Sequence, residues 1–184
     1  MESCGRLELI FGPMRSGKTT ELRRRLGIFA SLGFRTTYVN SSKDIRSDKG
    51  FSTHNPELSE DKDKITPQKV AKIREINYEE FDVVGIDEAQ FFKEKDIVLQ
   101  VQRLVDNGKI VIMSGLDGDS SQNLMGRYLE LIPKSDSAEK LLAWCFFCAQ
   151  KKKMVRAPFS KRLVPETSQV LVGNMYASVC RNCL

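Results

Sequence analysis

No part of this 184-residue chain holds an apolar run of about 18 residues, the length a helix needs to cross a bilayer, so no membrane span is expected. The N-terminus lacks a basic segment followed by an apolar one, so no secretory leader is indicated and a soluble cytoplasmic protein is expected. Internal repeats and low-complexity tracts are missing too, which argues against a solenoid or a largely disordered chain. Cysteine is scarce, with five residues in all, and without a leader two disulfides are not expected.

What is present is ordinary for a globular protein: 41% hydrophobic and 29% charged residues. The length fits one medium domain, or a main domain with a small appendage, and suffices to bury a core without staples. The net charge of +5 is modest, and basic residues cluster only at Arg23-Arg24-Arg25 and Lys151-Lys152-Lys153. A basic surface suits nucleic acid or anionic nucleotides, but a solvated face is the simpler account of both triplets.

The apolar run Leu7–Phe11 leads into Gly12-Pro13-Met14-Arg15-Ser16-Gly17-Lys18-Thr19, which fits the pattern GxxxxGK[ST]. The glycines let successive N–H groups converge on phosphate oxygens, Lys18 supplies a point charge, and Thr19 offers a hydroxyl to Mg²⁺. Leu22, Leu26, Phe29 and Ala30 then fall on one face of a helix that Gly33 can close. Strand, glycine loop and helix together point to a bound nucleoside triphosphate.

Further on, Thr36–Asn40 reads as a strand, residues 41–64 as a long polar loop, and Thr66-Pro67 as the start of a helix reaching about Ile76. Phe81–Ile86 is a short apolar strand ending on Asp87-Glu88. A carboxylate at the C-terminal end of such a strand, beside the glycine loop, can hold Mg²⁺, and its neighbour can take a proton from an attacking hydroxyl. Ile97, Val98, Val101, Leu104 and Val105 repeat at helical spacing before Asn107-Gly108, and Lys109–Ser114 is the next strand. The alternation predicts an α/β fold of the P-loop NTPase type: a parallel sheet with helices on both faces over residues 1–140.

Residues 141–184 are set apart by Cys145-x-x-Cys148 and Cys180-x-x-Cys183, two knuckles that suit four thiolates around a structural Zn²⁺. Four sulfur ligands leave no open position, so the metal folds a small lobe and performs no chemistry. Cys4 stands apart as a free thiol.

Taken in order, GPMRSGKTTEL, KDIR, STHN, GIDEAQFF, GLDGD, SKRL, VGNMY and CRNC resemble the zinc-containing thymidine kinases over nearly the whole chain. The resemblance implies transfer of the ATP γ-phosphoryl group to the 5′-hydroxyl of thymidine, or of deoxyuridine, in a homotetramer that serves nucleotide salvage. It implies that Gly12 to Thr19, Asp87 and Gln90 serve ATP and Mg²⁺, that Glu88 is the general base, and that Arg46 and Arg162 steady phosphate charge. It further implies that Phe91, Leu116, Ser120 and Tyr176 border the nucleoside, with a flap at Gln169, Val170, Leu171, Val172 and Gly173 closing over the base. Departures from the family pattern are Ser120 and Met125 where rings are usual, Arg15 inside the glycine loop, and a flap about two residues shorter after Gly173. No nucleic-acid partner is expected on this reading. Two other classes remain on the residues alone: a P-loop ATPase that touches nucleic acid through its zinc lobe, and a nucleotide-binding regulator without turnover.

Overall fold

The computed structural model describes residues 4–42, 64–164 and 175–184. Its main body contains β1 (Arg6–Gly12), α1 (Lys18–Ser31), β2 (Thr36–Ser41), β3 (Ile65–Val70), β4 (Val83–Ile86), α2 (Ile97–Asp106), β5 (Ile110–Leu116) and β6 (Ser137–Lys140). The six strands form one sheet in the order β3-β2-β4-β5-β1-β6, with every pairing parallel. Side chains alternate between its faces, as the pleat requires. Ile10, Tyr38, Val83 and Ile112 pack with Leu22 and Leu26 of α1, whereas Leu9, Val39, Val84 and Met113 pack with Ile97, Val101 and Leu104 of α2. The expected helices on both faces are therefore present, and they explain why the inner strands are apolar almost throughout.

The helix expected from Thr66 to Ile76 is not formed. Residues Ile65–Val70 make the edge strand β3, followed by a single 3₁₀ turn at Ile73–Glu75. Pro67 fits an edge strand because β3 pairs only with β2 and its missing N–H leaves no second ladder unpaired. The Thr-Pro signal for a helix start was overridden by pairing to Thr36–Ser41, a non-local contact that local pattern does not carry.

The first basic triplet is also not a solvated face. Arg23 is buried, and Arg25 reaches Glu8 at 2.8 Å, Glu21 at 2.7 Å and Glu139 at 2.6 Å, tying α1 to β1 and β6. Arg24 alone of the three is exposed, and it pairs with Glu21. Lys151, Lys152 and Lys153 are all exposed, as expected.

After β6 the chain builds two antiparallel ribbons. The first pairs β7 (Ala143–Trp144) with β8 (Arg156–Ala157) around α3 (Phe146–Gln150), and the second pairs β9 (Phe159–Arg162) with β10 (Tyr176–Val179). They share a separate small core of Ala143, Cys145, Ala157, Ala177, Val179 and Cys180. Alanine and cysteine side chains bury little area, so such a lobe needs a staple. Among the described residues, no helix is long and apolar enough to cross a membrane. Most of the polar loop expected over 41–64 lies outside the described residues.

Candidate functional site

Three features converge at the C-terminal ends of the sheet strands, beginning with the glycine loop. Strand β1 ends on Gly12 at φ 145°, where a Cβ would come within 2.2 Å of the Leu141 carbonyl oxygen. Gly17, at φ 85°, turns the chain into α1. Both conformations are strained for any residue with a side chain. Lys18 folds back so that Nζ donates to the Pro13 carbonyl at 2.7 Å, which closes the loop on itself. The loop stands at the N-terminal, positive end of a 14-residue helix, an arrangement that suits a phosphate chain. The Met14 N–H is donated across to Ser160 Oγ at 3.0 Å.

The second feature is Asp87, at the end of β4 and 2% exposed. Its carboxylate accepts hydrogen bonds from Tyr38 Oη at 2.6 Å, from the Ser114 hydroxyl and from the Glu88 N–H at 2.9 Å. Tyr38 and Ser114 come from β2 and β5, the strands that flank β4. Burial, then the Asp87 charge, pushes the Tyr38 phenol well above its ordinary range, so it stays protonated and remains a donor. In the sheet β4 does not pair with the glycine-loop strand β1, because β5 lies between them. Strand order in a parallel sheet is set by crossovers, which leave no mark in local periodicity. The insertion is what brings Ser114 and Leu116 into the site.

Glu88 is the third feature. It has the left-handed conformation φ 50°, ψ 44°, unusual for a residue with a side chain and costing roughly 1–2 kcal/mol. Its carboxylate accepts from the Gln90 amide, while Gln90 Oε1 accepts the Leu116 N–H at 3.0 Å. Tyr128 Oη donates to the Leu116 carbonyl at 3.1 Å. Burial holds the Tyr128 phenol protonated as well, with the Asp117 and Glu88 charges adding to the effect. Glu88 is thus aimed through Gln90 by the end of β5. An oriented, half-buried carboxylate at the same end of the sheet as a phosphate-type loop can accept a proton from a hydroxyl.

Next to these residues is a cavity of about 340 Å³, lined by Gln90, Phe91, Phe92, Leu124, Met125 and Arg127 among others. Its size and its mixture of apolar walls and polar groups suit a small organic molecule. Phe91 and Met125 line it, but Ser120 does not. Ser120 sits in a turn organised by the Asp119 carboxylate, which accepts the N–H groups of Ser121 at 2.8 Å and Asn123 at 2.9 Å. Arg162 and Tyr176 face each other across β9 and β10, with Arg162 Nη2 donating to Tyr176 Oη at 3.0 Å. Arg46 and the segment Gln169 to Gly173 lie outside the described residues.

Tyr38, Ser114, Tyr128 and Ser160 were not legible as site residues. A polar atom at an inward position of an apolar strand was the one signal available for Tyr38 and Ser114.

Farther along, Cys145, Cys148, Cys180 and Cys183 place their sulfurs within 4.8 Å of one another and could hold a metal ion. Cys148 Sγ stands 3.8 Å from the sulfurs of both Cys180 and Cys183. A tetrahedral site with metal–sulfur bonds of about 2.3 Å needs sulfurs about 3.8 Å apart, so the fit to zinc is direct. Burial acts to raise the Cys145 thiol, but the backbone N–H groups of Cys180 and Cys148 outweigh it and bring the thiol down to about 6. Cys148 is pushed up to about 12, chiefly by its bond to Cys145. Cys4 is free and exposed.

The family model described as "Thymidine kinase" matches residues 5–184. The thymidine kinase of Monkeypox virus (strain Zaire-96-I-16) is 39% identical over 183 residues, covering 97% of this chain and 96% of its own. Those of Vaccinia virus (strain Western Reserve) and Variola virus are each 38% identical with the same coverage. Among solved structures, the flagellar accessory protein FlaH from Methanocaldococcus jannaschii aligns over 62% of each chain with a TM-score of 0.44 and 17% identity.

Proposed function

The chain belongs to the thymidine kinase family, and from that premise we propose that it transfers the γ-phosphoryl group of ATP to the 5′-hydroxyl of thymidine, or of deoxyuridine, giving the monophosphate. The observation that carries this reading is the 38–39% identity to poxvirus thymidine kinases over 97% of the chain. The oriented pair Asp87 and Glu88 supports it, because phosphoryl transfer asks a protein mostly for positioning and charge neutralisation.

On this reading the loop Gly12–Thr19 cradles the ATP phosphates and Lys18 turns from the Pro13 carbonyl to the transferring group. Glu88 accepts the 5′-hydroxyl proton as that oxygen attacks phosphorus and the bond to the ADP oxygen breaks. Gln90 keeps Glu88 aimed, and Arg162 and Arg46 offset phosphate charge. Mg²⁺ would be held by the Thr19 hydroxyl and Asp87, an all-oxygen set that suits a hard ion, and would neutralise phosphate charge. Phe91, Leu116, Met125, Tyr176 and the segment Gln169 to Gly173 would enclose the nucleoside and keep water out.

We assign Zn²⁺ a structural role at the four cysteines, in a lobe spanning 141–184 that is distinct from the nucleotide-binding body. The family resemblance extends the proposal to a homotetramer that works in the cytoplasm. Incubating the purified protein with ATP, Mg²⁺ and a panel of thymidine, deoxyuridine, deoxycytidine and purine nucleosides tests the central claim. Thymidine monophosphate should form. ATP hydrolysis that needs DNA or RNA and yields no nucleoside monophosphate would overturn it.

A further inference from the structure

The cysteine lobe is joined to the phosphate loop itself. The Leu141 N–H donates to the Phe11 carbonyl at 2.8 Å, and the Leu141 carbonyl fills the space a Cβ on Gly12 would need. Ser160 Oγ, on a residue only 6% exposed, accepts the Met14 N–H at 3.0 Å. Pro13 has no N–H, so Met14 carries the next donor after the glycine that ends β1. Ser160 takes that donor ahead of the turn at Arg15 and Gly17, and a phosphate held by that turn and the helix end would use different N–H groups.

The other end of this linkage is the cysteine cluster. Ser160 of β9 stands directly opposite Ser178 of β10, and β10 runs into Cys180 two residues later. Ser178 Oγ also donates to the Trp144 carbonyl at 3.1 Å, immediately before Cys145. One short ribbon therefore spans from two metal-type ligands to the loop. Its core is made of small side chains, so its order depends on the metal.

We propose that Ser160 is a positioning residue that couples metal at the four cysteines to nucleotide on the glycine loop. The proposal rests on the zinc and ATP assignments above. Metal orders the lobe, the Ser160 hydroxyl then fixes Met14, and the loop is held in its phosphate-binding turn. Coupling of this kind is reciprocal, so bound ATP must retain the metal by the same factor that metal favours ATP. A single neutral hydrogen bond transmits about two- to tenfold.

The test is the rate of zinc transfer from the full chain to an excess of chelating dye, with and without saturating ATP and Mg²⁺ in excess over ATP, in the absence of nucleoside. ATP should slow release about two- to tenfold in the natural protein. Ser160→Thr, which keeps the hydroxyl, should retain the slowing. Ser160→Val, close to threonine in size, should carry one zinc and bind ATP yet release zinc at one rate with or without it. Release from the natural protein that ignores ATP, or slowing that persists in Ser160→Val, overturns the coupling while leaving both assignments standing. Should the valine variant fail to fold, Ser160→Ala takes its place: it too lacks the hydroxyl and should release zinc at one rate with or without ATP, and slowing that persists in it overturns the coupling. Protein that holds no zinc or binds no ATP refutes the assignments instead, and the coupling with them.

Discussion

Tyr38 donates its phenolic proton to Asp87 at 2.6 Å, with Tyr38 fully removed from solvent and Asp87 all but removed. A buried carboxylate is tolerated only when donors replace the water it has lost. Here β2 and β5 supply those donors from either side of β4, so the sheet order itself fixes the direction of the charge.

Tyr38→Phe keeps the ring and deletes the donor. It should lower unfolding free energy by about 1.5–3 kcal/mol, the scale of a hydrogen bond to a charged group. In a double-mutant cycle with Asp87→Asn, measured by denaturant unfolding, the two changes should couple by at least about 1 kcal/mol. Additive effects would show that the contact contributes nothing.

Replacing Glu88 by Gln should leave ATP binding intact and lower kcat at least ~10²-fold, the contribution expected of a general base. Gln90→Ala should lower kcat less, because Gln90 acts through the orientation of Glu88. Steady-state kinetics with ATP binding measured by calorimetry separates these effects, and an unchanged kcat for Glu88→Gln removes the assigned role.

Elemental analysis should find one zinc per chain. Cys183→Ser should lose it together with protection of the lobe amides in hydrogen exchange, since metal binding and lobe folding are one event. Fully folded, zinc-free protein with four reduced thiols would contradict this.

Met125 lines the cavity beside Phe91, whereas Ser120 is held in the Asp119 turn. Met125→Phe should therefore change KM for thymidine more than Ser120→Phe does. KM for ATP should stay nearly constant in both, because separated sites contribute independently. A larger effect from Ser120→Phe would place the base on the other side of the loop.

The Arg24 guanidinium beside Glu21, aided by Arg25 against the opposing effect of burial, holds the Glu21 carboxyl down at about 2 from its ordinary 4.5. A depressed carboxyl stabilises the fold fully above its unfolded value and loses that contribution as pH falls through 4.5 toward 2. Arg24 is largely exposed, so the contribution is screened to about 0.5–1 kcal/mol. Glu21→Gln should be destabilised by that amount near neutral pH in thermal unfolding, with the difference closing as pH falls through this window.

The glycine loop, the βα alternation, Asp87-Glu88 and the paired cysteines were all legible in the sequence, because each is a local pattern whose chemistry depends on spacing along the chain. By itself the sequence thus determined the kind of fold, the glycine loop and the metal-type ligands. The tertiary structure decided that β5 separates β4 from β1, that Thr66-Pro67 opens an edge strand in place of a helix, and that Arg23 and Arg25 turn inward. It also decided which hydroxyls meet Asp87 and Met14: Tyr38 and Asp87 are 49 positions apart, and Met14 and Ser160 are 146 apart. The physical reason is the same throughout. Local periodicity reports which face of an element is buried, but partners so distant in sequence meet only when strand order and packing are fixed by the whole core.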